Sequence, residues 1–251
     1  MELLPPFYQF IARHWRNEPM RKLKDRIRPI KHWLFGKQRI YKVVDIVKEW
    51  ESKNNQEVLT VFDIGAAIGE ATIPMAKAFP NAEIYCFEPS ADSFVLLKKR
   101  TKFLGKRIHC FNYGLHNIEG NLTFYSAPGH RDGSSFLQRY SGKPGVNPVN
   151  TKVRRLDDVV KELNIKKIHF MKVDAEGSEK EIFEGGVNTL KNLVDNIFVE
   201  IVPLIKGIHK HDWIDTFEYL HEAGFSMVGI IEDFFFSKLV DDRFLKEMQS
   251  F

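Results

Sequence analysis

Four apolar runs in this 251-residue chain stop on an acid: Asp63 after "VF", Glu88 after "EIYCF", Asp174 after "IHFMKV" and Glu200 after "IFV". A carboxylate at the end of a buried strand is costly unless a partner or a ligand meets it. The first acid opens "VFDIGAAIGEAT", a D-x-G-x-x-x-G turn in which Gly65 and Gly69 precede a helical pattern. Glycines in a strand-to-helix turn let the backbone approach a bound molecule, and the helix start offers free amides. A dinucleotide fingerprint would read G-x-G-x-x-G, but Ala67 stands where the middle glycine belongs, and Asp63 would repel a pyrophosphate. A ligand carrying an ammonium, a carboxylate and a sulfonium suits this turn better. The glycine turn takes the carboxylate, and Asp63 favours the positive charge directly or through water. S-adenosylmethionine is such a ligand. Glu88, 23 residues after Gly65, is placed to accept both hydroxyls of its ribose.

The acids meet only if their strands lie side by side. From Glu57 onward, short apolar runs alternate with helical patterns. Strands are predicted at about 58–63, 83–88, 107–112, 167–173, 195–201 and 225–231, and helices near 69–79, 90–104, 178–184 and 212–223. Such alternation argues a parallel, doubly wound sheet covered by helices on both faces. In such sheets ligands bind outside the carboxyl ends of the strands, where the strand order reverses. Ser90 is the expected cap of the second helix, with Asp92 in its first turn. Between 113 and 166 the alternation lapses. "NLTFYSA" (121–127) and "TKVRRL" (151–156) read as extra strands around a Gly-, Pro- and Ser-rich loop of the kind that covers or binds. "DFFFSKLV" reads as an edge strand or hairpin before a short charged helix.

Residues 1–56 differ in composition from the 57–251 domain. Ile40, Val43, Val44 and Val47 make one helical stripe, and upstream Leu23, Ile27, Ile30 and Leu34 make another that Pro29 should kink. Between Arg13 and Lys42, eleven Lys and Arg face only Glu18 and Asp25, a net of +9, so the remainder of this +4 chain carries −5. No apolar run approaches the ~20 residues of a membrane span, and Met1–Trp15 lacks the form of a secretory signal. Cys86 and Cys110 make no disulfide framework and read as free thiols in strands, consistent with a cytoplasmic setting.

The run "IHFMKVDAEGSEKEIFEGG" contains K-x-D-x-E-G-x-E, from Lys172 to Glu179. Together with "VFDIGAAIGEAT", "CFEPS" and "VRRLDDVV", in this order and spacing, it closely resembles the FkbM family of S-adenosylmethionine-dependent methyltransferases. The resemblance spans about Val58 to Glu200 and leaves the basic N-terminal extension outside. It implies a class I methyltransferase (Rossmann-like) α/β fold, with a seven-stranded, mostly parallel sheet whose last strand is antiparallel. It also implies O-methylation, most often of a sugar hydroxyl. The N/D-P-P-Y/F tetrad of base-amino methylation is missing; Asp174-Ala175-Glu176-Gly177 occupies its place.

Methyl transfer to a hydroxyl needs acceptor oxygen, methyl carbon and sulfur in line, and most of the rate can come from that positioning. A base at the hydroxyl proton adds roughly 10²–10⁴-fold. Strand alternation puts Lys172 and Asp174 on one face. Asp174 is then the expected base or hydroxyl-orienting group, close to the cofactor, with Lys172 tuning it and Glu176 following in the turn. Glu179 serves either the site or only the start of its helix. Asp174, Glu176 and Glu200 have the ligand chemistry for Mg²⁺, but nothing in their spacing gathers them, and no metal is expected. Ser134 and Ser135 of "DGSSF" resemble a glycine-serine stretch common in the FkbM family and, with Glu200 and His209, are candidates to line the acceptor pocket. His116, His130 and His211, like His209, fall in predicted loops; any of them has the chemistry of a base, and each reads first as a solvated surface residue. The Arg13–Lys42 segment reads as a solvated helical face, as an anionic-membrane contact suited to a lipid-linked saccharide, or, least supported by motif, as a nucleic-acid contact. The leading function is an O-methyltransferase of a saccharide or glycolipid hydroxyl. Its rivals are an RNA methyltransferase and a non-catalytic binding module on the same fold.

Overall fold

The computed structural model describes residues 40–126, 134–136, 141, 145–200, 212–231 and 233–237. The extension before Ile40, His130, His209, His211 and the charged C-terminal helix lie outside them. Helix α1 (40–54) is followed by β1 (Thr60–Ile64), α2 (Thr72–Ala78), β2 (Glu83–Phe87), α3 (Ala91–Thr101) with a short 3-10 turn (Lys102–Leu104), and β3 (Ile108–Phe111). Next come β4 (Gly114–Leu115), β5 (Gly120–Ser126), β6 (Asn147–Arg154), α4 (Leu156–Glu162) and β7 (Ile168–Val173). The described chain closes with α5 (Glu179–Glu184), α6 (Val187–Leu193), β8 (Val194–Val199), α7 (Asp212–Glu222), β9 (Ser226–Ile231) and β10 (Asp233–Ser237).

Seven strands form one sheet in the order β3-β2-β1-β7-β8-β10-β9. The first five run parallel, and β10 lies antiparallel to both neighbours. This is the class I methyltransferase arrangement. The order reverses at β1, which pairs with β2 on one side and β7 on the other. Asp63 is thereby in register with Cys86 and with Lys172, and Ile64 with Phe87 and Val173. "DFFFS" forms the expected hairpin with β9, but β9 holds the sheet edge and β10 lies inside.

The central strands are buried on both faces, which is why they read as continuous apolar runs: all six residues of β7 are buried. Phe62, Ile64, Phe87, Met171 and Val173 fill the side covered by α4, α5, α6 and α7. Val61, Ile84 and Phe170 fill the other, against α2, α3 and the Val43, Val44 and Val47 stripe of α1. Cys86 is buried and Cys110 half-buried, facing each other across β2 and β3 as free thiols.

A small sheet, β4-β6-β5, stands beside the main one. Both extra strands exist, but β6 starts at Asn147 rather than Thr151, so the loop before it is shorter than the composition suggests. Pro148 is tolerated there because β4 reaches only Val153 and Arg154, leaving the start of β6 with β5 as its single partner. Two helices were not read from the sequence. α4 buries Leu156, Val159 and Val160, and its Asp157 accepts hydrogen bonds from the backbone N–H and hydroxyl of Thr189 (2.8 and 2.7 Å), tying α4 to α6. Among the described residues no helix is long and apolar enough to cross a membrane.

Candidate active site

The reversal of strand order brings three sequence-predicted residues into one ion cluster. Lys172 Nζ, on a side chain 7% exposed, lies 3.4 Å from Asp63 Oδ1 and 3.3 Å from Asp174 Oδ2, and it donates to the Gly65 carbonyl at 2.9 Å. Asp63 is completely buried; its Oδ2 accepts the Thr72 hydroxyl at 2.6 Å, whereas Oδ1 has no hydrogen bond and only the ammonium to compensate it. Asp174 is 28% exposed on its side chain and is the member of the trio that faces outward. Burial alone would push the Lys172 pKa down, but the charges of Asp174, Asp63 and Glu200 outweigh it and raise the pKa above the ordinary lysine value. Lys172 is therefore a fixed cation rather than a proton carrier. Glu200 is half-buried at the end of β8, its backbone N–H bonded to the Val173 carbonyl at 2.9 Å.

Glu88 is 6% exposed and braces two turns at once. Oε2 accepts the Ala67 N–H and Oε1 the Ser90 N–H, both at 2.8 Å. Burial lifts its pKa to about 7, against the pull of these amides and of Lys172. The Ala67 bond holds a non-glycine residue at φ +46, a conformation that needs outside support. Asn112, not singled out in the sequence, donates to the Glu88 carbonyl at 2.9 Å and steadies the same strand end. Gly65 has φ +73, and a Cβ there would sit 1.8 Å from the Asp174 carbonyl oxygen. The glycine is thus demanded by the close approach of the β1 and β7 ends. At Gly69, φ +84, a Cβ would press Leu97 at 3.1 Å.

The turn after β7 is the second strained piece. Glu176 has φ +52. Glu179 Oε1 accepts the Ala175 and Gly177 amides at 3.0 and 3.1 Å, and burial raises the pKa of its carboxyl to about 7. Ser135 is 1% exposed and donates its hydroxyl to the Glu176 carbonyl at 2.8 Å, while its backbone forms a two-way bridge with Tyr125. Ser135 is thereby tied to the turn that carries Asp174 and Glu176, with Ser134 half-buried beside it. His116, read as a surface residue, is part-buried, with Nδ1 2.7 Å from Asn117 Oδ1 and its ring edge-on to Phe136 at 6.0 Å. Thr72 and Asn112 were missed; the only available signal was position, each standing just beyond the turn or strand that it braces. Among the described residues no three His, Cys, Asp or Glu side chains are grouped to hold a metal ion, so Asp174, Glu176 and Glu200 do not form such a set.

Acids crowded around one lysine, under two strained turns, make a negatively biased cradle at the strand ends. Its carboxylate acceptors suit a cationic nucleoside. The family model described as the Methyltransferase FkbM domain matches residues 63–227, well over half of the chain. "Methyltransferase 1" of Beauveria bassiana is 25% identical over 196 residues, covering 66% of this chain and 72% of that one. The "2-O-methyltransferase NoeI" of Sinorhizobium fredii is 24% identical over 142 residues, 52% of this chain and 58% of its own length. The "Hexuronic acid methyltransferase AglP" of Haloferax volcanii is 28% identical over 152 residues, 60% of this chain and 58% of its own. This chain thus spans under two thirds of the length of the latter two. Fold, strand-end acids and the extent of the match agree: the chain belongs to the FkbM methyltransferase family, and its methyl donor is S-adenosylmethionine.

Proposed function

We propose that this chain transfers a methyl group from S-adenosylmethionine to a hydroxyl of a saccharide or glycolipid, with Asp174 as the group that receives or orients the hydroxyl proton. The observation that carries the reading is the locked trio, in which Lys172 is spent on Asp63 and Asp174 while Asp174 alone of the three keeps substantial exposure. Two relatives named for 2-O-methylation and for hexuronic acid support a sugar acceptor.

When bound, the donor supplies a methyl carbon already activated by a sulfonium. The remaining work belongs to side chains of this chain. Glu88 accepts the ribose hydroxyls, and the backbone at Gly65 and Gly69 cradles the amino acid end. Asp63 acts through Lys172: fully buried, it anchors the ammonium that fixes the Asp174 carboxylate at the strand end. Glu176, Glu200, Ser134 and Ser135 line the acceptor side, with the Ser135 hydroxyl also holding the turn at Glu176. The setting is cytoplasmic, and no metal takes part.

The test separates chemistry from binding. Asp174→Ala is expected to cut turnover by about 10²-fold or more while S-adenosylmethionine affinity, by calorimetry, stays within a few-fold of the parent. Glu88→Ala should weaken that affinity roughly ten- to a hundred-fold, the loss of a charged hydrogen-bond acceptor. Turnover is read with labelled donor against glycans, lipid-linked sugars and RNA. An Asp174→Ala loss of affinity equal to that of Glu88→Ala would reassign Asp174 to the donor. Methyl incorporation confined to RNA would replace the acceptor, and absence of donor binding would leave a non-catalytic module.

A further inference from the structure

Away from the strand ends, the described surface concentrates apolar and cationic side chains on one helix. α3 turns Phe94, Leu97, Thr101 and Leu104 toward the core. Its outer side shows Val95 (64% exposed), Leu96 (46%) and, in the following turn, Phe103 (67%). Phe103 and Val95 are the two most exposed large apolar side chains among the described residues. Interleaved with them, Lys98, Lys99, Arg100, Lys102 and Lys106 are all exposed, and no acid occurs from Ser93 to Arg107. Arg107 is not part of the patch, since its guanidinium donates inward to the Ala76, Phe79 and Ala82 carbonyls. Acids in the elements around it are Asp92 at the start of the helix, Glu83, which pairs with His109, and Glu70, next to the Gly69 that packs on Leu97 and Thr101.

Cations in the last helical turn answer the helix dipole, and that accounts for Lys98, Lys99 and Arg100. It accounts for neither Lys102 and Lys106, which lie beyond the helix, nor the exposed Phe103. Leu96, Arg100 and Phe103 fall at i, i+4 and i+7, and Val95, Lys99 and Lys102 follow the same spacing, so both rows lie along one side. Apolar side chains flanked by long cationic ones, whose stems can lie flat while their heads reach phosphates, suit a bilayer interface.

We infer that this face of α3, centred on Phe103, docks the enzyme on an anionic lipid surface. Charge complementarity selects that occupant. The basic Arg13–Lys42 segment carries +9, so its charge does not complement a cationic patch as an anionic bilayer does. A nucleic acid would use the cations but leave Val95 and Leu96 without a role. The inference deepens the glycolipid reading of the acceptor and rests on it for its purpose, since a lipid-linked saccharide is presented at such a surface.

Vesicle co-sedimentation of the full chain tests it, using phosphatidylcholine alone and phosphatidylcholine mixed with phosphatidylglycerol. The parent is expected to partition onto the mixed vesicles and to be released by salt. Removing interfacial lysines lowers partition about five-fold each, so Lys99→Gln/Lys102→Gln/Lys106→Gln should lose on the order of a hundred-fold. Phe103→Ser should lose about ten-fold or more at unchanged charge. Donor affinity by calorimetry, expected unchanged, confirms that both variants fold, and Phe103→Ser, lying beyond the helix, stays decisive if the triple variant does not. Partition equal to the parent in both variants overturns the proposal in favour of the basic segment alone. Sensitivity to the lysines with none to Phe103, joined to displacement from vesicles by single-stranded RNA, overturns it in favour of nucleic acid. Failure of the parent to bind donor while still partitioning would sink the enzyme reading and leave the docking surface standing.

Discussion

Lys172→Met is the most informative single perturbation of the ion cluster. Methionine preserves most of the side-chain length and apolar bulk while removing the charge. Asp63 then remains fully buried, with Thr72 its only hydrogen-bond donor and Oδ1 with no compensation. Breaking a buried pair by deleting one partner costs about 3–5 kcal/mol, because an uncompensated charge stays inside. For a domain of this size each kcal/mol moves Tm by about 2–4 °C, so a drop of roughly 6–20 °C is expected by calorimetric scanning or urea titration. The companion is Lys172→Met/Asp63→Asn, in which the buried charge is gone and the amide oxygen still accepts from Thr72. This double variant should recover at least half of the loss. A Lys172→Met chain within ~1 kcal/mol of the parent, or a double variant no better than the single, would refute the view that the trio is a locked electrostatic unit. It would also remove the reason for treating Lys172 as the brace of Asp174.

Glu88 offers a pH test. Its folded pKa, raised to about 7, means that the folded state holds a proton which the unfolded chain has already released near its ordinary ~4.5. The stability contributed by this group is complete below that ordinary value and is lost as pH rises through about 7. Donor hydroxyls need the ionised carboxylate, so S-adenosylmethionine affinity should rise about ten-fold from pH 6 to pH 8, and the Glu88→Gln variant should lose that slope; an unchanged slope in the variant would place the titrating group elsewhere. Gly65→Ala combines φ +73 with a Cβ 1.8 Å from the Asp174 carbonyl oxygen and should cost more than about 2 kcal/mol along with donor binding, by melting and calorimetry. Gly105→Ala, at φ +83 but with nothing within 4 Å, should cost only about 1–2 kcal/mol and leave donor affinity intact. Equal costs at the two positions would remove the packing argument for Gly65.

The alternation of short apolar runs with helical patterns, together with the acids that end those runs, determined the sheet and the chemistry of the cradle from sequence alone. These signals are local: a strand buried on both faces must be apolar throughout, and an acid at its end stands out. α4 was legible in principle, since Leu156, Val159 and Val160 have helical spacing with acids in the first turn. "TKVRRL" reads as a strand up to the residue where the helix begins, and the overlap hid the boundary. What only the tertiary structure decided is who partners whom. That Lys172 sits between Asp63 and Asp174 follows from β1 lying beside β7, a pairing of residues more than a hundred positions apart. The same pairing gave Gly65 a further duty, room for the Asp174 carbonyl. It made Glu179 and Ser135 braces of one turn. Side-chain type reports the burial a strand will meet, whereas contact between strand ends is settled by how the whole sheet is wound.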